Sequence, residues 1–177
     1  PDLIYGAGRT YVSKYRWSTA QTQNVSPTAR RDRPYRSVRT APLVFSPLDP
    51  HTLYFGLNYL FRTRDGGEHW DVISPDLARD STAVPPSVGA LRNPGAEKQR
   101  GVIYSVAPSH LSPGTIWAGT DDGLLWLTRD AGAHWADITP RELTPWSKVT
   151  QVEASHYDDQ GAYLAVSRLR VDDQKAW

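Results

Sequence analysis

Apolar and polar residues alternate in short runs along most of the chain. Residues 102–107, VIYSVA, read as one strand, and 115–119, TIWAG, as the next. Residues 124–128, LLWLT, make a third and 135–139, WADIT, a fourth. These runs are rich in β-branched and aromatic types and are bounded by Gly, Pro, Asp or Ser, the usual limits of short strands. No useful window sustains a 3.6-residue apolar period, so little helix is expected. Asp122-Gly123 is a two-residue hairpin signal, because that dipeptide tolerates the positive φ of a type I′ turn. Asp65-Gly66-Gly67 and Asp130-Ala131-Gly132 mark further hairpins.

The pattern repeats. Thr52 to Pro75, TLYFGLNYLFRTRDGGEHWDVISP, matches Thr115 to Pro140, TIWAGTDDGLLWLTRDAGAHWADITP. Gly56 pairs with Gly119, and Asp65, Gly67, Trp70 and Pro75 pair at one constant offset with Asp130, Gly132, Trp135 and Pro140. A weaker copy runs from Leu3 to Pro27, where Leu3-Ile4-Tyr5-Gly6 fits Leu53-Tyr54-Phe55-Gly56 and Asn24-Val25-Ser26-Pro27 fits Val72-Ile73-Ser74-Pro75. A fourth begins in SKVTQVEASHYDDQGAYLAVSRLRV. Four-stranded units repeated along an all-β chain predict propeller blades. The expected division is a partial blade at 1–27, blades at 39–75 and 101–140, and the start of a further blade at 147–177. Inter-blade loops fall at 28–38 and 79–100.

Thr63-Arg64-Asp65-Gly66-Gly67-Glu68-His69-Trp70 resembles an Asp-box, the bacterial neuraminidase repeat of form Ser/Thr-x-Asp-x-Gly-x-x-Trp. Thr128-Arg129-Asp130-Ala131-Gly132-Ala133-His134-Trp135 is a second such segment in register with the first. With stretches such as VFSPLDPHTLYFG, the whole chain is similar to the sortilin-like propellers of large bacterial proteins often labelled glycosyl hydrolases. The fold class expected is all-β, a β-propeller fragment of about three four-stranded blades with Asp-box hairpins. The resemblance implies a non-catalytic binding or scaffolding propeller outside the cytoplasm, periplasmic or secreted. The alternative it implies is a carbohydrate-active glycoside hydrolase, xyloglucanase-like or sialidase-like; a purely structural subunit of a larger assembly is a third reading.

Blade arithmetic shapes the expected partners. Closed propellers typically need four to eight blades, more than this chain supplies. It starts at Pro1 and contains no Met, which suggests a natural N-terminus further upstream. Leu3 to Tyr5 and Tyr163 to Val166 should lie at the two ends, covered by other blades of the parent polypeptide or by another protein subunit. One rescue is that the strand around Val149 to Ala154 completes the first repeat.

Composition narrows the chemistry. Twenty basic against nineteen acidic residues leave a net charge of +1, which argues against a nucleic-acid partner. The 177 residues include no Cys, excluding disulfides, thiolate zinc sites and a cysteine nucleophile. No apolar run approaches the ~18 residues of a membrane span. Seven Trp and nine Tyr are an unusual aromatic load, and Tyr35 could stack on an Arg or on a carbohydrate. The basic residues Arg30, Arg31, Arg33, Arg36 and Arg39 gather in one loop and could hold an anion or an acidic protein surface.

In the Asp-box segments, Asp65 and Asp130 should accept hydrogen bonds from turn amides, with Thr63 and Thr128 bonding in the same turn. Gly67 and Gly132 suit a positive φ, and Trp70 and Trp135 should pack under their own hairpins. This makes the box a turn staple rather than a ligand site. His69 and His134 read as exposed hairpin residues, and His51, His110 and His156 show no ligand spacing, so neither metal nor cofactor is expected. Glycoside hydrolysis needs two carboxyl groups about 5–9.5 Å apart. Asp121-Asp122, Asp158-Asp159 and Asp172-Asp173 are each adjacent in sequence and read as turn chemistry. Pro34-Tyr35-Arg36-Ser37 is not the Phe/Tyr-Arg-Ile-Pro segment of sialidases, and so few blades cannot build a xyloglucanase cleft. No catalytic residue is assigned, and the reading leans away from an enzyme.

Overall fold

The computed structural model describes residues 2–8, 11–28, 35–79, 101–171 and 173. Strands β1 (Leu3–Ala7), β2 (Val12–Arg16) and β3 (Gln21–Asn24) form a first antiparallel sheet. A second, four-stranded sheet contains β4 (Leu43–Phe45), β5 (Leu53–Gly56), β6 (Leu60–Thr63) and β7 (Asp71–Val72). The third repeats it with β8 (Ile103–Pro108), β9 (Ile116–Thr120), β10 (Leu125–Thr128) and β11 (Ala136–Asp137). The fourth pairs β12 (Lys148–Ala154) with β13 (Ala162–Ser167). The architecture is all-β, an arc of β-propeller blades, and among the described residues the only helical turn is a 3-10 turn at Leu169–Val171.

Each seam between successive sheets holds an apolar core. Val12, Val25, Phe55, Leu57 and Phe61 fill the first seam. Tyr54, Leu60, Leu77, Ile103, Val106 and Ile116 fill the second, and Ala107, Trp117, Leu125, Val149 and Val152 the third. Strands β5 and β9 have every residue buried because both faces of their sheets are covered. The terminal sheets have one covered face, so β1 stays largely exposed and β13 mixes exposed with half-buried residues. Burial alternates along β12 and most of β13, as expected for a sheet wetted on one side.

Three local expectations change. The outermost strands β7 and β11 are only two residues long. Side chains displace the ladder there: Asp137 accepts the Thr139 N–H at 2.9 Å, and Thr139 Oγ1 accepts the Leu125 N–H at 2.9 Å. Ser74 Oγ accepts the Leu60 N–H in the same way at 2.8 Å. The β9–β10 connection is not a two-residue type I′ turn. It is a three-residue loop, Asp121-Asp122-Gly123, in which only Gly123 has positive φ (90°), closed by the Thr120 N–H on the Leu124 carbonyl at 2.9 Å. Finally, β12 does not complete the first sheet: it pairs with β13 and packs on the third sheet, where Val149 and Val152 bury against Trp117 and Leu125.

Candidate functional site

The two Thr-x-Asp-x-Gly-x-x-Trp segments fold into superimposable hairpins between the third and fourth strands of their sheets. Thr63 Oγ1 donates to Asp65 Oδ1 at 2.8 Å and accepts the Gly67 N–H at 2.9 Å. Thr128 does the same toward Asp130 and Gly132, at 2.9 and 3.0 Å. Asp65 Oδ1 accepts the His69 N–H at 2.9 Å, and Asp130 Oδ1 accepts the His134 N–H at 2.9 Å. The histidine amides held by Asp65 and Asp130 are exposed, whereas the Gly67 amide held by Thr63 is buried.

A second interaction was not foreseen. The other carboxylate oxygen of each Asp meets the His Nδ1 at 2.7 Å, giving the ion pairs Asp65–His69 and Asp130–His134. Both imidazoles are about nine-tenths exposed. The His69 backbone N–H, and next its ring, hold the Asp65 carboxyl well below the usual carboxylate range. The same two contacts from His134 lower Asp130 to about 2. In return the hydrogen bond to Asp65, then its charge, raises His69. The sequence signal for these pairs is the Asp-x-x-x-His spacing, which occurs in both copies.

The tryptophans reach the preceding repeat. The Trp70 indole N–H donates to the Val25 carbonyl of the preceding repeat at 2.7 Å, and the Trp135 indole N–H to the Ile73 carbonyl at 2.8 Å. The glycines make this approach feasible. Gly67 and Gly132 have φ of 92° and 99°. A Cβ on Gly132 would lie 2.3 Å from the Ile73 carbonyl oxygen, and one on Gly67 2.7 Å from Val25 Cβ. Each hairpin is thus a plug seated on the last strand of the sheet before it.

Arginine completes the seams from the other side. The Arg36 N–H donates to Asn58 Oδ1 at 2.8 Å, while its guanidinium donates to Asp76 at 2.9 Å and to the Gly101 carbonyl at 3.1 Å. One repeat on, the Arg79 N–H donates to Asp122 Oδ2 at 2.7 Å, and its Nε to the Asp122 carbonyl at 3.1 Å. Both place an arginine on the loop between the second and third strands of the next sheet. Arg36 is largely buried in this role, Arg39 is exposed, and Arg30, Arg31 and Arg33 lie outside the described residues.

The adjacent carboxylates are spent on structure. Asp121 and Asp122 are fully buried, with Asp121 Oδ1 accepting the Val102 N–H at 2.9 Å. Burial pushes Asp122 up to about 6. Asp159 Oδ2 accepts from Ser112 Oγ at 3.1 Å, and Asp172 lies outside the described residues. An open cleft of about 540 Å³ lies beside the first hairpin, between Pro27, Tyr35, Phe61, Trp70 and Val72, with Glu68 on its rim. The structure also brings His110 and His156 together, two residues without ligand spacing in the sequence.

No protein-family model matches this chain, and no curated protein matches its sequence. Among solved structures it is similar to the GH74 enzyme of Niastella koreensis at 11% identity and TM-score 0.27, over 86% of this chain and 34% of that one. It is likewise similar to the GH74 xyloglucanase from Xanthomonas campestris at 12% identity and TM-score 0.29, over 86% of this chain and 35% of that one. The chain therefore spans about a third of the length of these enzymes.

Proposed function

We propose that this chain is a non-catalytic, protein-binding or scaffolding segment of a larger sortilin-like extracytoplasmic propeller, built on Asp-box hairpins. The supporting observation is an uncovered seat. Val25 and Ile73, on which the two hairpins rest, are 4% and 8% exposed. Ile138 occupies the same place in the third repeat, in Asp137-Ile138-Thr139-Pro140, and is 38% exposed with no hairpin on it among the described residues. Leu3 and Ile4 are exposed at the opposite end, 38% and 49%. The occupant of the Ile138 seat is a further hairpin of the same kind, supplied by the parent polypeptide or by another subunit.

The alternative, a carbohydrate-active hydrolase, draws on the cleft beside Trp70 and Tyr35. One experiment separates the two. Light scattering at micromolar concentration should show association that Ile138→Arg and Ile4→Arg weaken, while xyloglucan, β-glucan and sialosides remain intact. A monomer insensitive to both substitutions, or turnover abolished by mutating a single Asp or Glu, overturns the scaffold reading.

A further inference from the structure

The turns after β8 and β12 are built alike. Ser109 Oγ accepts the N–H groups of Leu111 and Ser112 at 3.0 and 3.1 Å. Ser155 Oγ accepts those of Tyr157 and Asp158 at 3.2 and 3.1 Å. In each turn the residue after the serine is a histidine, His110 or His156, while the equivalent turn of the second sheet has Pro47 after Ser46. Because β12 packs on the third sheet, the two turns are neighbours. The Ser112–Asp159 hydrogen bond, at 3.1 Å, and the Arg129 guanidinium on the Asp159 carbonyl, at 3.3 Å, hold them together. The imidazoles lie against each other at a tilt, with ring centroids 3.7 Å apart and planes at 31°.

Glu153, on the exposed face of β12, completes the cluster. Its Oε1 lies 3.2 Å from His156 Nε2 and 3.9 Å from His110 Nε2. One ligand atom from each of the three residues falls within 4.8 Å of the other two. Tetrahedral zinc, with bonds of 2.0–2.2 Å to nitrogen and oxygen, places its ligand atoms about 3.4 Å apart. The two Glu153–imidazole separations straddle that value. The side chains are between one-third and about one-half exposed, so the rings have room to swing apart until both Nε2 lone pairs point at one ion, which can reach them from solvent. Two imidazoles and one carboxylate suit a borderline transition ion better than calcium or magnesium, which prefer oxygen alone.

We propose that His110, Glu153 and His156 form a binding site for a divalent transition-metal ion of the zinc class, tying the third sheet to the fourth. Three protein ligands leave a coordination position for water. The site is independent of the scaffold reading, since it uses neither the hairpins nor the Ile138 seat.

The test is calorimetric titration of the untagged full chain with zinc chloride, with Co²⁺ absorbance as a second readout. One ion per chain should bind, with visible bands of low-coordinate Co²⁺. His110→Ala, His156→Ala and Glu153→Gln should each weaken binding at least about tenfold, the loss typical even of outer-shell changes. Circular dichroism checks that each variant is folded, and His51→Ala should bind as the parent does. No uptake at millimolar zinc would overturn the proposal and leave a hydrogen-bonded His–Glu–His cluster. Binding that survives His110→Ala and His156→Ala but is lost in His69→Ala/His134→Ala would overturn it in favour of the hairpin pairs.

Discussion

Burial, above all, raises the Asp122 carboxyl above its ordinary value. It is fully buried, with Thr120 Oγ1 on one oxygen and the Arg79 N–H on the other. Its folded value, about 6, lies above its ordinary 3.8, so folding favours the neutral acid. That contribution is complete below about pH 4 and is lost as pH rises through about 6. Moving a carboxyl across that interval corresponds to an upper bound on the order of 3 kcal/mol. Asp122→Asn keeps the shape, can accept from Arg79 and can donate to Thr120. It should therefore gain stability relative to the parent between pH 5 and pH 7.5, by about 1–3 kcal/mol, in urea denaturation. An unchanged difference between the two pH values would refute this. Asp130 behaves oppositely. Its value is depressed to about 2, so its stabilising bonds are intact above about pH 4 and fail as pH falls through 2. Asp130→Ala should free the His134 amide, seen as faster hydrogen exchange at neutral pH, with only a small fall in the denaturation midpoint because that amide is exposed.

At the scale of the element, the hairpin matters as a plug. Gly132→Ala meets two obstacles at once: a φ of 99° that L-residues avoid and a carbonyl oxygen 2.3 Å from the new Cβ. It should cost about 2–4 kcal/mol in thermal or urea unfolding. Gly66→Ala is the control. There φ is 73°, but the nearest atom is the movable Tyr5 hydroxyl at 2.8 Å, so only the backbone cost of about 1 kcal/mol applies. Equal losses would show that the seat on Ile73 contributes nothing. The Thr, Asp and Gly roles in these hairpins were legible in the sequence, because turn chemistry acts within four residues. The indole acceptors were not. Val25 lies 45 residues from Trp70 and Ile73 lies 62 from Trp135, and no local pattern joins them.

Across the whole molecule, stability should be graded from the middle outward. Strands β5 and β9 are buried throughout, whereas β1 and β13 have one bare face. Native-state hydrogen exchange should therefore leave β5 and β9 protected longest and open β1–β3 and β13 first, since opening an end sheet exposes a single seam. Uniform protection across all four sheets would contradict an open arc. Association through the Ile138 seat should raise protection in the third sheet with increasing concentration.

The sequence by itself determined the strands, their repetition and the hairpin staples. The β-branched runs and the Thr-x-Asp-x-Gly turn chemistry each act over a few residues and are legible without the rest of the chain, whereas the form of the Asp122-Gly123 turn is not. Tertiary structure decided how each repeat uses its neighbour. Arg36 reads in the sequence as loop charge and is a seam fastener, because its partner Asn58 belongs to the next sheet; Arg79, which no sequence signal singled out, does the same through Asp122. Of the adjacent aspartates read as turn chemistry, Asp121 and Asp122 are buried, because they hold the Val102 amide and the Arg79 amide from segments before the third sheet's own turn. His110 and His156 carried no ligand spacing, since what aligns them is the packing of β12 on the third sheet.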